Sequence, residues 1–558
     1  MTPRDSVGNV RIIFLGGLGE IGRNCAVVEV ADRLLIIDVG LMFPDIDMPG
    51  VDLVLPDFTF LRENADRVEA AIITHGHEDH MGALSYLLRD ISFPIYSSQL
   101  TLNLARNRID EAKLTDRTEF IAVKDGERRK IGPFDVEFIP VTHSVPHAFA
   151  VALHTPQGTI LHTGDFKLDL TPIDGRRTEL KAIGRIASEQ GIRLLLSDST
   201  NAEEPGRTNS EANVREVLND VIRKHRSQRI IVTCFASHLH RVQQVMDAAI
   251  ADGRVIATLG RSMGKNVALA REMGLLHVPE SSLVPIEKIK DYPDNKVCII
   301  STGSQGEPMS ALTLMASGQS KWLELGDNDV VILSSHPIPG NESSVGKVID
   351  GLYRRGAEVI HSGLTPVHAS GHARQDELKT MINVSSPEFF IPVHGEFRHL
   401  THHSRVAMEM GVPASNVLLC EDGDVVELSD DGIAFAGEVP SGYLFVDGST
   451  SDSSTGVLRD RQILAQEGVV MVVVTIDASH GEIVSGPEVF TRGWVYEPEQ
   501  GDLVEEAQKA VAEKLAELDN TAIRDIEAVR RTARKSLGSF VAKRTARRPM
   551  VVPVVMEV

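Results

Sequence analysis

Short apolar runs, each stopped by a polar or glycine-rich break, mark the first 200 residues of the chain. "RIIFL" (11–15) runs into "GGLGEIG", and "NCAVVEV", the turn "ADR" and "LLIIDVG" follow as two β runs joined by a turn. "AAIIT" (70–74), "FDVEFIPVTH" (134–143), "FAVALHT" (149–155), "TILHTGD" (159–165) and "IRLLLSD" (192–198) read as further strands. Apolar, β-branched runs of this length, bounded by turn residues, suit a pleated and largely buried sheet. "MGALSYLLRD" (81–90) has helical spacing instead. Many strands with flanking helices predict a layered α/β sandwich over residues 1–206.

The rhythm changes between 207 and 365. The helical segment "SEANVREVLNDVIRKH" precedes the strand "RIIVTC" (229–234), and "RVIAT", "KVCII", "DVVIL" and "AEVIH" follow with helical segments between them. Such a βα repeat predicts a parallel sheet. From 366 to 440 strands return, in "EFFIPVHGE", "NVLLC" and "DVVEL". The stretch 441–464, with "DGSTSDSSTG" inside it, reads as a linker. A small α/β module is expected over 465–558, with "VVMVVVTI" (469–476) as a buried strand and "DLVEEAQKAVAEKLAEL" (502–518) as a charged helix.

With 558 residues, 42% of them hydrophobic, the chain can fill several cores. Its longest apolar run is too short to cross a bilayer, and "MTPRDSVGNV" lacks the layout of a secretory signal. A soluble cytoplasmic protein with no membrane partner is expected. Cys25, Cys234, Cys298 and Cys420 show no C-x-x-C spacing, which excludes a thiolate zinc site and a disulfide framework. The net charge of −21 argues against nucleic-acid binding by the surface as a whole, since phosphates are held by basic side chains. It leaves room for a local basic groove. Residues 524–548 hold nine Arg/Lys against two acids, a face for RNA, for a subunit contact or for solvent alone.

Of twenty histidines, nineteen lie at or before His403, so histidine chemistry belongs to the first three quarters of the chain. Gly17, Gly19 and Gly22 match G-x-G-x-x-G. A dinucleotide loop needs a helix next, whereas β runs follow here, so a tight loop near another site is expected. In "AIITHGHEDHMGAL" (71–84), His75, His77, Asp79 and His80 crowd one turn after a strand. Alternate residues of such a turn can point one way: His75 and His77 toward one metal, Asp79 and His80 toward a second. Imidazole with carboxylate suits Zn²⁺ or Mn²⁺. His143 and Asp165 each end a strand and offer the remaining ligands. A carboxylate can bridge two cations and an imidazole cannot, so Asp165 is expected as the bridge. His147, His154 and His162 compete, the last two from within strands. Asp38 is expected to orient a metal-binding histidine.

These residues together resemble the metallo-β-lactamase superfamily. Asp198 in "LLLSDST", His372 in "HASGHA" and His394 in "PVHGE" resemble motifs A, B and C of its β-CASP branch. "GGLGEIGRN", "STGSQGEP" (301–308), "HPIPGNE" (336–342) and "IPVHGEFRH" (391–399) are similar to the ribonuclease J family. The resemblance covers nearly the whole chain. It implies an αββα metallo-β-lactamase sandwich interrupted by a β-CASP α/β domain and followed by a small C-terminal α/β domain. It implies one zinc on His75, His77, His143 and Asp165, another on Asp79, His80, Asp165 and His394, and Mn²⁺ or Mg²⁺ as substitutes. It also implies a structural calcium on Asp447 with the carbonyls of Pro49 and Val51. A histidine at motif C is similar to the RNA-processing members.

The expected activity is 5′-to-3′ removal of nucleotides from 5′-monophosphate RNA, with endonuclease cuts, in rRNA maturation and mRNA decay. Asp79 is expected to orient the attacking water and His372 to serve the leaving 3′ oxygen. Ser237, His238, His368, Ala369, Ser370, Gly371 and His372 are the expected contacts to single-stranded RNA. A homodimer or homotetramer and RNA-degradation partners go with the resemblance. The rival readings are another β-CASP nuclease, acting inside chains or on DNA, a small thioesterase or lactonase, and a non-catalytic RNA-binding scaffold.

Overall fold

The computed structural model describes residues 8–558 apart from Ile46, Pro308, Pro339, Ser449, Ser453, Ser454 and Tyr496. The chain divides into two compact units, Met1–Met42 with Leu55–Tyr443, and Phe43–Val54 with Leu444–Val558.

The first unit is built on two facing sheets. One has eight strands in the order Gly432–Glu438, Asp424–Ser429, Val10–Gly16, Cys25–Val30, Arg33–Ile37, Val68–Ile72, Ile95–Ser97 and Phe120–Ala122. The other has six, in the order Phe389–Val393, Ile192–Asp198, Gly158–His162, Ala148–Thr155, Phe134–Val141 and Arg128–Ile131. Ile12, Val28, Ile37 and Ile72 of the first sheet meet Phe138, Val151, Leu196 and Ile391 of the second in one dry core. A second core lies on the outer face of the six-stranded sheet, under the helices Leu180–Glu189, Gln375–Ser385 and Phe397–Glu409. That is the αββα sandwich, and burial of both faces explains why its strands read as continuous apolar runs.

Between the halves of this sandwich lies a five-stranded sheet: Val255–Leu259, Val297–Ser301, Arg229–Thr233, Asp329–Leu333 and Glu358–His361. Each neighbouring pair is parallel. The second unit holds a three-stranded sheet, Glu482–Arg492, Val469–Asp477 and Met550–Glu557, packed on the helices Glu497–Leu515 and Ile526–Thr545.

Four local expectations fail for identifiable reasons. "MGALSYLLRD" is not one continuous helix: Glu78–Met81 and Leu84–Asp90 are separate, because the Ala83 N–H donates to the Val39 carbonyl instead of to Asp79, whose own carbonyl is taken by Asn24. "NVLLC" forms no strand; Val417 makes a single bridge to Phe390, and Leu418 and Cys420 fill the sandwich core from a loop. The stretch 441–464 is not bare linker, since it carries the strands Tyr443–Asp447 and Thr450–Asp452 and most of the helix Thr455–Glu467. "VVMVVVTI" is buried on one face only, through Val470, Val472, Val474 and Ile476.

Candidate metal centre

Five strands deliver the site from one edge of the sandwich. Val68–Ile72 runs into Thr74–His80, Phe134–Val141 into His143, Gly158–His162 into Asp165, Ile192–Asp198 ends on Asp198, and Phe389–Val393 runs into His394. Asp198 stands opposite Val393 in the parallel register, which puts His394 beside it. The turn of His394 is tight, with φ at +55°, and Asp38 sits at φ +62°. Left-handed backbone at non-glycine residues is held only where the surroundings over-determine it.

His75 Nε2, His77 Nδ1 and His143 Nε2 converge. His77 Nδ1 is 3.0 Å from His75 Nε2 and 3.1 Å from His143 Nε2. Asp165 Oδ2 completes the set at 3.5 Å from His75 and 3.7 Å from His143. On the other side of the same oxygen lie His80 Nε2 at 3.2 Å and His394 Nε2 at 3.8 Å. Asp79 Oδ2 is 3.5 Å from His80 Nε2 and 3.3 Å from His394 Nε2. Ligands about 2.1 Å from a tetrahedral centre stand roughly 3.4 Å apart, so both sets have the spacing of a metal shell. Both oxygens of Asp165 are buried and lack a hydrogen-bond donor. A carboxylate left so would cost several kcal/mol, roughly, without a cation between those rings. The residues therefore fit divalent ions, and Asp165 is the one shared by both sets.

The nitrogen that each ring turns away from the centre is also held. His80 Nδ1 donates to Asp38 Oδ2 at 2.7 Å, and Asp38 further accepts from Thr74 N and Thr74 Oγ1. His143 Nδ1 donates to the Gly371 carbonyl at 2.8 Å. His394 Nδ1 donates to Thr200 Oγ1 at 2.7 Å, which donates onward to Asp198. Such bonds fix ring tautomer and orientation before any ion arrives.

Electrostatics divide the two sets. Burial holds His75 and His143 well below the ordinary imidazole range and pushes His77 down to about 4, so these three are neutral ligands. Burial acts the same way on His80 and His394, but Asp165 and the neighbouring acids outweigh it, raising His80 and lifting His394 to about 10. Burial alone would raise Asp165; His394, His80 and His75 hold it well below the carboxylate range. His372 stacks on His394 and donates from Nδ1 to Asp198 at 2.8 Å. Burial opposes its protonation and Asp198 overcomes that, so its pKa is raised.

The other expected residues fall in different places. His154 pairs with Glu137 at 3.3 Å, and His162 Nδ1 accepts from Gly164 N. His147 stands at φ +61° outside both donor sets. Ser237 and Ser370 are partly exposed, and Ser370 accepts from Asn201. His238 is 1% exposed and caps the helix Leu239–Ala251, with Nε2 3.5 Å from Glu211. His368 is partly buried and Ala369 buried. Gly371 serves the metal set itself: a Cβ there would lie 2.6 Å from His143 Cε1. Asp447 is ion-paired with Arg461, whose guanidinium also donates to the Gly50 carbonyl, between the two residues whose carbonyls were expected beside calcium. Sequence reasoning missed Asn24, Thr74 and Thr200; only the "N" ending "GGLGEIGRN" gave any signal.

Comparison with known proteins covers the chain end to end. The metallo-beta-lactamase superfamily matches residues 18–196, the ribonuclease J beta-CASP domain 227–352, the Zn-dependent metallo-hydrolase RNA specificity domain 359–417, and the ribonuclease J C-terminal domain 456–558. The chain is 40% identical over 551 residues to Ribonuclease J2 of Bacillus subtilis (strain 168), covering 99% of both chains. It is 38% identical over 548 residues to Ribonuclease J 1 of Streptococcus pyogenes serotype M3, covering 98% of this chain and 97% of that one. It is 40% identical over 560 residues to Ribonuclease J of Mycolicibacterium smegmatis, covering 100% and 99%. A crystal structure of a protein of unknown function from Enterococcus faecalis V583 shares the fold, with a TM-score of 0.55 and 16% identity, over 75% of this chain and 100% of that one.

Proposed function

The chain belongs to the ribonuclease J family and is a metal-dependent ribonuclease, and on that premise we propose that it removes nucleotides 5′ to 3′ from single-stranded RNA bearing a 5′-monophosphate, and cuts internally where the strand is accessible, in RNA maturation and mRNA decay. The observation that carries the chemistry is Asp165: a buried carboxylate, both oxygens without a donor, shared by two convergent sets of ligands. When bound, two divalent cations, zinc by the imidazole-rich donor set and manganese or magnesium as substitutes, supply Lewis acidity toward a phosphodiester and lower the pKa of water.

The chain's own groups do the rest. Asp79 lies at the mouth of the second set, its side chain 28% exposed, and orients the attacking water, whose proton passes to solvent. The water oxygen bonds to phosphorus as the bond from phosphorus to the 3′ oxygen breaks. That oxygen takes its proton from His372, which Asp198 keeps charged and whose Nδ1 bond to Asp198 leaves Nε2 for the leaving group. The products are a 3′ hydroxyl and a new 5′ phosphate, which is again the preferred end. Ser237, Ser370 and the backbone from His368 to His372 contact the RNA, since small residues let N–H groups approach an anion. His394 in the donor set supports RNA over DNA as the substrate, by the family's pattern at this position.

End-labelled RNA with a 5′-mono- or triphosphate, and DNA of the same sequence, test this reading. Mononucleotides are expected from monophosphate RNA alone, and none from the Asp79→Ala/His80→Ala double variant. Undiminished activity of that variant refutes the site, and equal digestion of DNA transfers the protein to another branch of β-CASP nucleases.

A further inference from the structure

The glycine-rich segment after the first strand, which mimics a dinucleotide loop, is left without a role by the reaction above. It pairs instead with the segment behind His394: Leu18 stands opposite Gly395, and Gly19 opposite Glu396, in a short parallel ladder. Its far end reaches the other ligands of the same cation. Asn24 N donates to the Asp79 carbonyl at 3.0 Å, and Asn24 Nδ2 donates to that same oxygen at 3.1 Å. A carbonyl has two lone pairs, so Asn24 takes both and fixes the peptide plane between Asp79 and His80. Gly40 closes the seat from the other side: its N–H donates to the Asn24 carbonyl at 2.9 Å, and a Cβ on it would lie 1.7 Å from the Asp79 oxygen. The flanking carbonyls are held too, His80 O by Val39 N at 2.7 Å and Glu78 O by Leu41 N at 3.0 Å. Gly17, at φ +96°, gives the Asn24 amide its room, since a Cβ there would meet Asn24 Oδ1 at 2.5 Å. The first set is held differently: His75 leans on Thr74, His143 on the Gly371 carbonyl and His77 on Ser144, and the His77 carbonyl accepts from the helix-start N–H groups of His80 and Met81 rather than from the glycine-rich segment.

We propose that the segment Gly17–Asn24 is a scaffold dedicated to the second cation, the one on Asp79, His80 and His394, and that Asn24 is its positioning residue. The two metal sites share Asp165, yet they are then separable by one substitution at a residue that bonds to the Asp79 carbonyl and His80 rather than to His75, His77 or His143. This rests on the two-cation reading above, and the test distinguishes the two.

The full-length chain, stripped with a chelator, is titrated calorimetrically with Zn²⁺ and with Mn²⁺, and bound metal is counted by elemental analysis. Wild type is expected to take two ions. Asn24→Leu, which keeps the side chain's size without donors, and Asn24→Ala should take the first ion at unchanged affinity and the second at least about ten-fold more weakly, as expected for loss of a group that orients ligands. Their thermal unfolding in chelator should match wild type. Two ions at wild-type affinity in both variants, or parallel weakening of both sites, overturns the proposal and leaves the two-cation reading intact. Melting of both variants in chelator well below wild type makes Asn24 a folding residue and overturns it as well. Fewer than two ions on wild type overturns both.

Discussion

Arg23 is 1% exposed and serves two acids at once, Glu20 at 2.6 Å and Asp422 at 2.8 Å. One buried positive charge faces two negative ones, and burial together with Glu20 lifts Asp422 from 3.8 to about 7 against the pull of Arg23. A raised folded-state pKa means that the folded chain holds this proton while the unfolded chain releases it. The stability Asp422 contributes is thus fully present below about pH 4 and is lost as pH rises toward 7, by roughly 4 kcal/mol at most. Asp422→Asn keeps an acceptor for the Leu18 N–H, which donates to Oδ1 at 3.0 Å. Urea unfolding at pH 4.5 and 7.5 is expected to show a smaller fall in stability for the variant than for wild type, and parallel profiles refute the assignment. Residue identity announced the clustered histidines of the two donor sets because their density on one turn is chemically unusual. It did not announce Asn24, whose side-chain amide serves the Asp79 carbonyl, or Gly371, which leaves room for His143, because each role depends on which distant segment the residue meets.

Elements were legible where their apolar run matched their burial. "IRLLLSD" and "DVVIL" are strands at the expected residues because they are central, with both faces covered. "NVLLC" has the same composition yet stays a loop, because the edge it could pair with is met only at Phe390. "VVMVVVTI" hides its periodicity for another reason. All but one of its residues are apolar, so nothing in the run distinguishes the face on the helices from the face turned outward. The difference is measurable. Val472 is fully buried and Val473 is partly exposed. Val472→Asp is expected to destabilise the second unit by about 3 kcal/mol or more, from lost apolar burial and an unpaired carboxylate. Val473→Thr should cost under about 1 kcal/mol, as half-buried strand positions tolerate threonine. Chemical denaturation followed by Trp494, which is buried in that unit, reads both; equal losses would contradict the one-sided burial.

At the scale of the molecule, the donor residues span His75 to His394 and come from four separate segments of the chain. Ions bound there tie together strands that are distant in sequence, and binding to the folded state alone stabilises by about 4 kcal/mol at a thousand-fold excess over Kd. Scanning calorimetry should show chelation lowering the transition of the first unit by several degrees. A transition of the second unit, which contributes no donor to either set, should stay in place. Movement of both, or of neither, would contradict the metal assignment to the first unit.

The amino-acid sequence by itself determined most of the strand runs, the parallel repeat between 207 and 365, and the residue types of a site fit for divalent metal. Those follow from local physics, namely hydrophobic periodicity and the donor chemistry of each side chain. Only the tertiary structure decided which nitrogen of each histidine faces the centre, that both oxygens of Asp165 stand free between two sets, and that a glycine-rich loop secures one set alone. These depend on registers between segments nearly 200 and nearly 400 residues apart, Asp198 opposite Val393 and Leu18 opposite Gly395. A register is fixed by the packing of the whole core, and no local stretch of chain encodes it.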